Sequence, residues 1–459
     1  MKRNLKFSVN LGTVLPCLLA AVLSACSLVQ YSPVPTIDHI DPDHGYRSRN
    51  HVTDAHNDEN MIFLLFSGGG SRAAALGYGV LENFYHQRIK PTASGDTLLD
   101  NIDVVSGVSG DSVLAAYFSL HGRDTVPKFE NEFLKRDFQQ ELIDEVFSFS
   151  NMPRLLSPQF GRGDLLQERL NSVLFKNATF GDLALYRKGP FALISATDMT
   201  RGSKVVFTQE MFDSLCLDLS RMPVARAVAA SSSVPLVFSP LTLNNNGGNC
   251  GFRLPEIFSD ERREYMMRYN IRDVKNIVTS YQNSVMKPYI HLVDGGLTDN
   301  LGLTNLLDIY DTIGSEQLSK IISDYRKLKR IVVISVNAQN SVYSGIDLSA
   351  DIPGTSAVVN AVINVPIDQN SRVSLMRFRH LVDDWNTAMH RSVGANKVFV
   401  HFVSLNLKEL PESQLKFDVL NMGTSFYLSP SDVDKLKQAA SVLLKNSSEY
   451  QDLIEELQQ

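Results

Sequence analysis

Ser109 stands in Asp103-Val104-Val105-Ser106-Gly107-Val108-Ser109-Gly110-Asp111, between glycines, where an apolar run gives way to a helical pattern. A hydroxyl on a sharp strand-to-helix turn is lifted off the sheet, and the amides of the helix's first turn point at any oxyanion formed beside it. That combination suits a nucleophile, and Gly107 and Gly110 allow the bend while keeping both walls close. Ser67-Gly68-Gly69-Gly70-Ser71-Arg72-Ala73 is a second chemical segment. Consecutive glycines let backbone N–H groups approach and cradle an anion, and Arg72 adds a fixed positive charge beside them. The third segment is His291-Leu292-Val293-Asp294-Gly295-Gly296. A carboxylate at a strand's end, followed at once by Gly295 and Gly296, sits where α/β folds build their sites.

The elements around these residues read clearly. Met61–Phe66 is a buried strand running into the glycine loop and then an Ala-rich helix over 73–84; Ile102–Val105 is a strand feeding a helix over 112–120. Further strand-like runs at 191–194, 205–207, 290–293, 330–336 and 398–402 alternate with helical patterns, which argues an α/β sheet covered on both faces. From Ser429 onward an N-cap signature precedes Leu436, Ala439, Ala440, Leu443 and Leu444, an amphipathic helix closing the domain.

Taken in order, these motifs resemble those of patatin-like phospholipases, lipid acyl hydrolases that work with a serine–aspartate dyad. The resemblance rests on Gly68-Gly69-Gly70-Ser71-Arg72-Ala73, Gly107-Val108-Ser109-Gly110-Asp111 and Asp294-Gly295-Gly296, with Ser195-Ala196-Thr197-Asp198 and Ala229-Ala230-Ser231-Ser232-Ser233-Val234-Pro235 between them. It implies a three-layer α/β/α sandwich with a central, mostly parallel sheet over 59–459. It also implies Ser109 as nucleophile, Asp294 as its base, and the amides of Gly68, Gly69, Gly70 and Gly110 as donors to the oxyanion. Lipid or phospholipid is the implied substrate. No cofactor is implied, and no His/Cys/Asp cluster has metal-ligand spacing.

Two positions depart from the family pattern. Ala73 replaces a glycine common there, a small change. Asp111 stands where the elbow pattern has glycine, and two effects compete. A carboxylate in the first helical turn is favourable by about 0.3–1 kcal/mol. Near a developing oxyanion, at about 6 Å and an effective dielectric near 20, it is unfavourable by roughly 3 kcal/mol. Facing the site, Asp111 would slow the reaction about a hundredfold; facing solvent, it would change little. A catalytically weakened or inactive lipoprotein on the same fold is therefore the alternative reading.

Lys2, Arg3 and Lys6 precede an apolar stretch over 14–23 that ends in Leu23-Ser24-Ala25-Cys26. This resembles a bacterial lipoprotein signal over 1–25: the run is shorter than the roughly 20 residues that span a bilayer, and small residues directly before Cys26 mark it for lipid attachment. Ser27 lacks the aspartate of an inner-membrane retention signal, so the expected place is the outer membrane, facing the periplasm. Removing 1–25 deletes three basic residues and no acid, moving the formal charge from −6 to −9. Membrane proximity then comes from the lipid anchor, and nucleic acid is excluded as a partner. Residues 26–58, polar with Pro33, Pro35 and Pro42, read as a tether. Residues 243–289, Asn/Gly-rich and then charged, read either as a lid over the site or as a solvated excursion. Cys216 and Cys250 either pair in an oxidising compartment or stay as two thiols; spacing does not decide, and nothing sets the oligomeric state.

Two other enzyme classes share parts of this pattern. Gly68-x-Gly70-x-x-Ala73 after a strand satisfies a dinucleotide fingerprint, but Asp96 and Asp100, at the distance where that fingerprint needs an acid ending a strand, lie in a polar stretch. A Ser–His–Asp hydrolase would draw its histidine from His380, His390 or His401.

Overall fold

The computed structural model describes residues 29–48, 59–258, 268–323, 325, 327–340, 350–392 and 397–459. Its elements run β1 (Asn60–Phe66), α1 (Gly70–His86), β2 (Val104–Gly107), α2 (Gly110–His121) and α3 (Phe138–Phe147). They continue with β3 (Phe191–Asp198), β4 (Ser203–Val206), α4 (Val224–Ser231), β5 (Leu241–Asn244), α5 (Arg268–Gln282) and β6 (Tyr289–Val293). β7 (Arg330–Asn337), α6 (Thr355–Arg391), β8 (Phe399–Asn406) and α7 (Pro430–Asn446) complete the frame. Strand order is β5-β6-β3-β2-β1-β7-β8, with β4 on β3. The central run from β3 to β8 is parallel, whereas β4, β5 and β6 join antiparallel.

Alternation along the strands makes the layers. Ile62, Leu64 and Phe66 of β1, with Val332, Ile334 and Val336 of β7, join the large core shared with α1, α2, α4 and α7. Leu65 and Val333 point the other way, into a second cluster with Phe378, Trp385 and Val400 under α6 and β8. Burying such side chains contributes about 1.5–3 kcal/mol each, so a strand apolar on both sides is held by both layers. The architecture is the expected mostly parallel sheet sandwiched between helices. α7 begins as expected, with Ser429 capping the Asp432 amide at 3.2 Å and Pro430 in its first turn.

Three expectations are corrected or decided by the fold. The tether over 26–58 is, across its described residues 29–48, a strap packed on the domain. Tyr46 is fully buried, stacked on Phe191, and its hydroxyl donates to the Ala192 carbonyl at 3.0 Å. Arg47 forms a buried pair with Asp213 at 2.7 Å, and Tyr31 donates to the Asn244 side chain at 2.9 Å. Isolated apolar residues in polar sequence carry no period, which is why the strap reads as a linker. The stretch over 243–289, read either as a lid or as a solvated excursion, does not line the cavity in its described residues: its first part is the end of β5 and a turn, and α5 and β6 also lie outside the cavity wall. The charged run over 260–264 lies outside the described residues. Cys216 and Cys250 are joined as a disulfide, pinning that turn to the segment after β4. Cys26 also lies outside the described residues.

Candidate active site

The glycine loop leaves the carboxyl end of β1, and the Ser109 elbow leaves the carboxyl end of its parallel neighbour β2, so the two turns meet at one sheet edge. Ser109 has φ 54° and ψ −127°, a conformation that costs a non-glycine residue about 1–3 kcal/mol and persists where surroundings enforce it. They do so here. The Ser109 N–H donates to Ser231 Oγ at 2.9 Å, and its carbonyl accepts from Ser232 Oγ at 2.9 Å and Ser112 Oγ at 2.5 Å. Ser231 and Ser232 end α4, and only their place in a family-like stretch hinted at this role in clamping the elbow.

Glycine is required where the two turns touch. A Cβ on Gly110 would lie 2.4 Å from the Gly70 backbone, and Gly70, at φ 63°, would place one 2.5 Å from the Ser425 carbonyl.

Asp294 follows β6, and its Oδ2 accepts a hydrogen bond from Ser109 Oγ at 2.6 Å. The Gly296 N–H donates to Oδ1 at 2.8 Å, and the Asp294 carbonyl accepts from Thr197 Oγ1 at 2.8 Å, so the carboxylate is fixed at both ends. A Cβ on Gly295 would meet the Ser195 carbonyl at 2.3 Å, which explains the first glycine of the acid motif. Burial pushes the Asp294 carboxyl up to about 6, against the pull of the hydrogen bonds from Ser109 and Gly296. A carboxylate with that proton affinity, one hydrogen bond from a hydroxyl, is matched to proton transfer near neutral pH.

The oxyanion loop differs from expectation at Gly68. Its N–H donates to the Asn300 carbonyl at 3.1 Å, and the Ser71 N–H to the Ser425 carbonyl at 2.8 Å. Among the described residues the amides of Gly69, Gly70 and Gly110 make no hydrogen bond, and Gly69 and Gly70 line the cavity. Arg72 lines the cavity, yet its Nε donates to the Ala338 carbonyl at 2.9 Å and its Nη1 to Met422 at 2.7 Å. Its first task is therefore to tie the loop to the end of β7 and to the segment before α7. Burial lowers its pKa to about 10, leaving it charged at neutral pH.

Asp111 takes neither of the orientations weighed from sequence. It is fully buried with both carboxyl oxygens unpartnered, and a Cβ on Gly77 of α1 would lie 3.1 Å from its Oδ1. It packs between α1 and α2, beneath the elbow. Burial pushes its carboxyl well above the usual range, only partly opposed by the Arg72 guanidinium, so the uncharged acid is favoured.

A cavity of about 870 Å³ opens over Ser109 and Asp294. Its apolar wall is formed by Leu142 and Val146 from α3, Phe238 after α4, Val359 and Ile363 from α6, and Phe426, with polar residues such as Gln139, Asn300, Gln339 and Asn364 between them. The sequence did not mark α3 and α6 as walls. Among the described residues no histidine lines the cavity; His380 and His390 are exposed on α6, and His401 lies on β8 beside Glu456 at 3.5 Å, so none of the three stands at the Ser109–Asp294 pair. No group of metal-ligating residues occurs among the described residues.

Comparison with known proteins agrees with this geometry. The model of the patatin-like phospholipase family matches residues 64–307, just over half of the chain. An uncharacterized protein of Bacillus subtilis (strain 168), YqhO, is 29% identical over 196 residues, which cover 40% of this chain and 59% of that protein. The match thus spans less than two thirds of that relative. Among solved structures, human GIVD cytosolic phospholipase A2 aligns at TM-score 0.42 and 12% identity, over 99% of this chain and 67% of that one. The same human enzyme in complex with methyl gamma-linolenyl fluorophosphonate aligns at 0.42 and 11%, over 89% and 61%. These structural likenesses are too distant to bear on the site. The family match, spanning the glycine loop, the Ser109 elbow and the Asp294 motif, places the chain in the patatin-like phospholipase family of lipid acyl hydrolases.

Proposed function

We propose that this chain is a serine acyl hydrolase of phospholipids or related lipid esters, working through a Ser109–Asp294 dyad and anchored to the bacterial envelope by lipid on Cys26. The observation that carries the reading is the 2.6 Å hydrogen bond from Ser109 Oγ to Asp294 Oδ2 at the floor of an apolar-walled cavity. Asp294 takes the Ser109 proton as Oγ attacks the ester carbonyl, and the amides of Gly69, Gly70 and Gly110 receive the oxyanion. The protonated Asp294 then returns its proton to the departing alcohol, leaving an acyl ester on Ser109. Water, deprotonated by Asp294, adds to that ester; the fatty acid leaves and Oγ recovers its proton. The acyl chain lies along the apolar wall, where burial favours it by roughly 0.8 kcal/mol per methylene.

The test is turnover of phospholipid and short-chain ester by full-length protein. Ser109→Ala and Asp294→Asn should each lose about 10³-fold or more in kcat, and the double variant little beyond either, because both act in one proton transfer. Additive losses, or an active Asp294→Asn enzyme, would sink the dyad. A wild-type protein inert on every ester would favour the non-catalytic alternative; the burial of Asp111 away from solvent supports the active reading.

A further inference from the structure

The segment between α3 and Arg162 reaches the cavity at both ends, through Phe147 and Arg162. Between those ends it turns large apolar side chains outward: Phe149 is 95% exposed and Leu156 75%, with Phe147 itself at 74%. Leu236, another residue of the cavity mouth, is 70% exposed. The first half of α6 completes the rim. Val359, Ile363 and Ile367 line the cavity beside Thr355, Asn360 and Asn364, while Val358, Val362 and Val365 are exposed, so this half-helix presents uncharged, largely apolar side chains to cavity and solvent. No charged residue occurs from 355 to 367. Single exposed apolar residues are ordinary, but a set grouped around one cavity mouth marks a contact surface.

What covers it is indicated by where the strap begins. The Val29 carbonyl accepts from Ser157 Oγ at 2.9 Å, and the Tyr31 N–H donates to Gln159 Oε1 at 2.8 Å, so the first described residues are fastened to the same apolar segment. Cys26 stands three residues before Val29, and three residues reach at most about 10 Å. A lipid on Cys26 would therefore enter a membrane beside Phe149 and Leu156.

We infer that this rim is a membrane-docking face: it lies on the bilayer that holds the Cys26 lipid, and the cavity opens onto that same bilayer. The inference rests on the lipid-hydrolase and lipoprotein readings proposed above. An acyl chain then passes from bilayer to Ser109 over the apolar residues of the rim and cavity wall. The formal charge of −9 after removal of 1–25 and the uncharged half-helix suit a zwitterionic surface better than an anionic one.

The experiment uses full-length acylated protein in phosphatidylcholine vesicles. Trp385, the single native tryptophan, is buried, so emission added by Phe149→Trp or Leu156→Trp reports on the rim. Brominated phosphatidylcholine should quench that added emission by about twofold or more. Phe149→Glu, Leu156→Glu and Val362→Glu, none of which lines the cavity, should each lower turnover of vesicle phospholipid about tenfold while leaving a dissolved short-chain ester within about twofold. Unquenched rim tryptophans together with full vesicle turnover by the glutamate variants would overturn the docking face. So would glutamate variants that dissociate an oligomer with vesicle turnover intact, since the rim would then join copies of this chain. Quenching without palmitate on Cys26 would overturn the shared-membrane orientation. Quenched rim tryptophans together with a wild type that hydrolyses neither ester would fail the hydrolase reading and leave the docking face standing.

Discussion

At the residue scale, the proposed role of Asp294 as the base sets a pH profile. It must be ionised to accept the Ser109 proton, and burial has pushed it up to about 6. Below that pH, kcat/KM is expected to fall about tenfold per unit, and above it to level off; a profile flat down to about pH 4 would remove Asp294 as the base. The same shift fixes a sign for stability. Between about pH 4 and 6 the native state holds this proton more tightly than the unfolded chain does, so stability contributed here rises as pH falls through the window and declines as pH climbs. Asp294→Asn should therefore stabilise the fold at pH 7 by about 2 kcal/mol, measured by denaturant unfolding. Asp111 leads to a different expectation. Its acid is buried between two helices, so Asp111→Asn should keep kcat within about twofold, and Asp111→Gly should bring no gain, with some loss of stability from the emptied space. A marked rise in kcat for both would show that charge at Asp111 opposes the oxyanion. Ser109 and Asp294 were legible because each is tied to a strand end punctuated by glycine. The direction of Asp111 was not, since one residue's rotation in a first helical turn leaves no periodic trace. Nor were Gly68's amide and the Ser231 and Ser232 clamps, which depend on partners more than 100 residues away in sequence.

At the scale of elements, the parallel strands were readable because each is apolar on both sides. β1, β2, β3, β7 and β8 all coincide with such runs. β5 escaped because it is four residues long and alternates on an antiparallel edge. The strap escaped for the reason given by Val34 and Tyr46: each buries alone. Its anchoring can be measured. Arg47 and Asp213 are both nearly inaccessible, so Arg47→Ala leaves a buried carboxylate without its cation and should cost about 3–5 kcal/mol. A loss under about 1 kcal/mol would mean the strap detaches without consequence for the domain. The Cys216–Cys250 bond closes a loop of 34 residues, and Cys216 also receives the Ile37 N–H through its carbonyl. Reduction is expected to cost about 2–4 kcal/mol and to expose the strap to protease first; an unchanged midpoint under reductant would contradict this.

At the scale of the whole molecule, the strap is fastened through Val29 and Tyr31 to the apolar segment around Ser157 and Gln159, and that segment reaches the cavity over Ser109. The anchor is tested apart from the chemistry: labelled palmitate should enter the wild type and not Cys26→Ser, and only the labelled form should partition into detergent. Incorporation into both would move the lipid elsewhere. The strap also bears on the order in which the chain assembles. Tyr46 has its hydroxyl partner 146 residues away and Tyr31 its partner 213 residues away, so these early residues have nowhere to dock until β3 and β5 exist. Closing such long loops is slow relative to forming the local β1–α1–β2 unit. The strap from Val29 to Arg47 is therefore among the last parts of the chain to fold, and it closes over a sheet that is already in place.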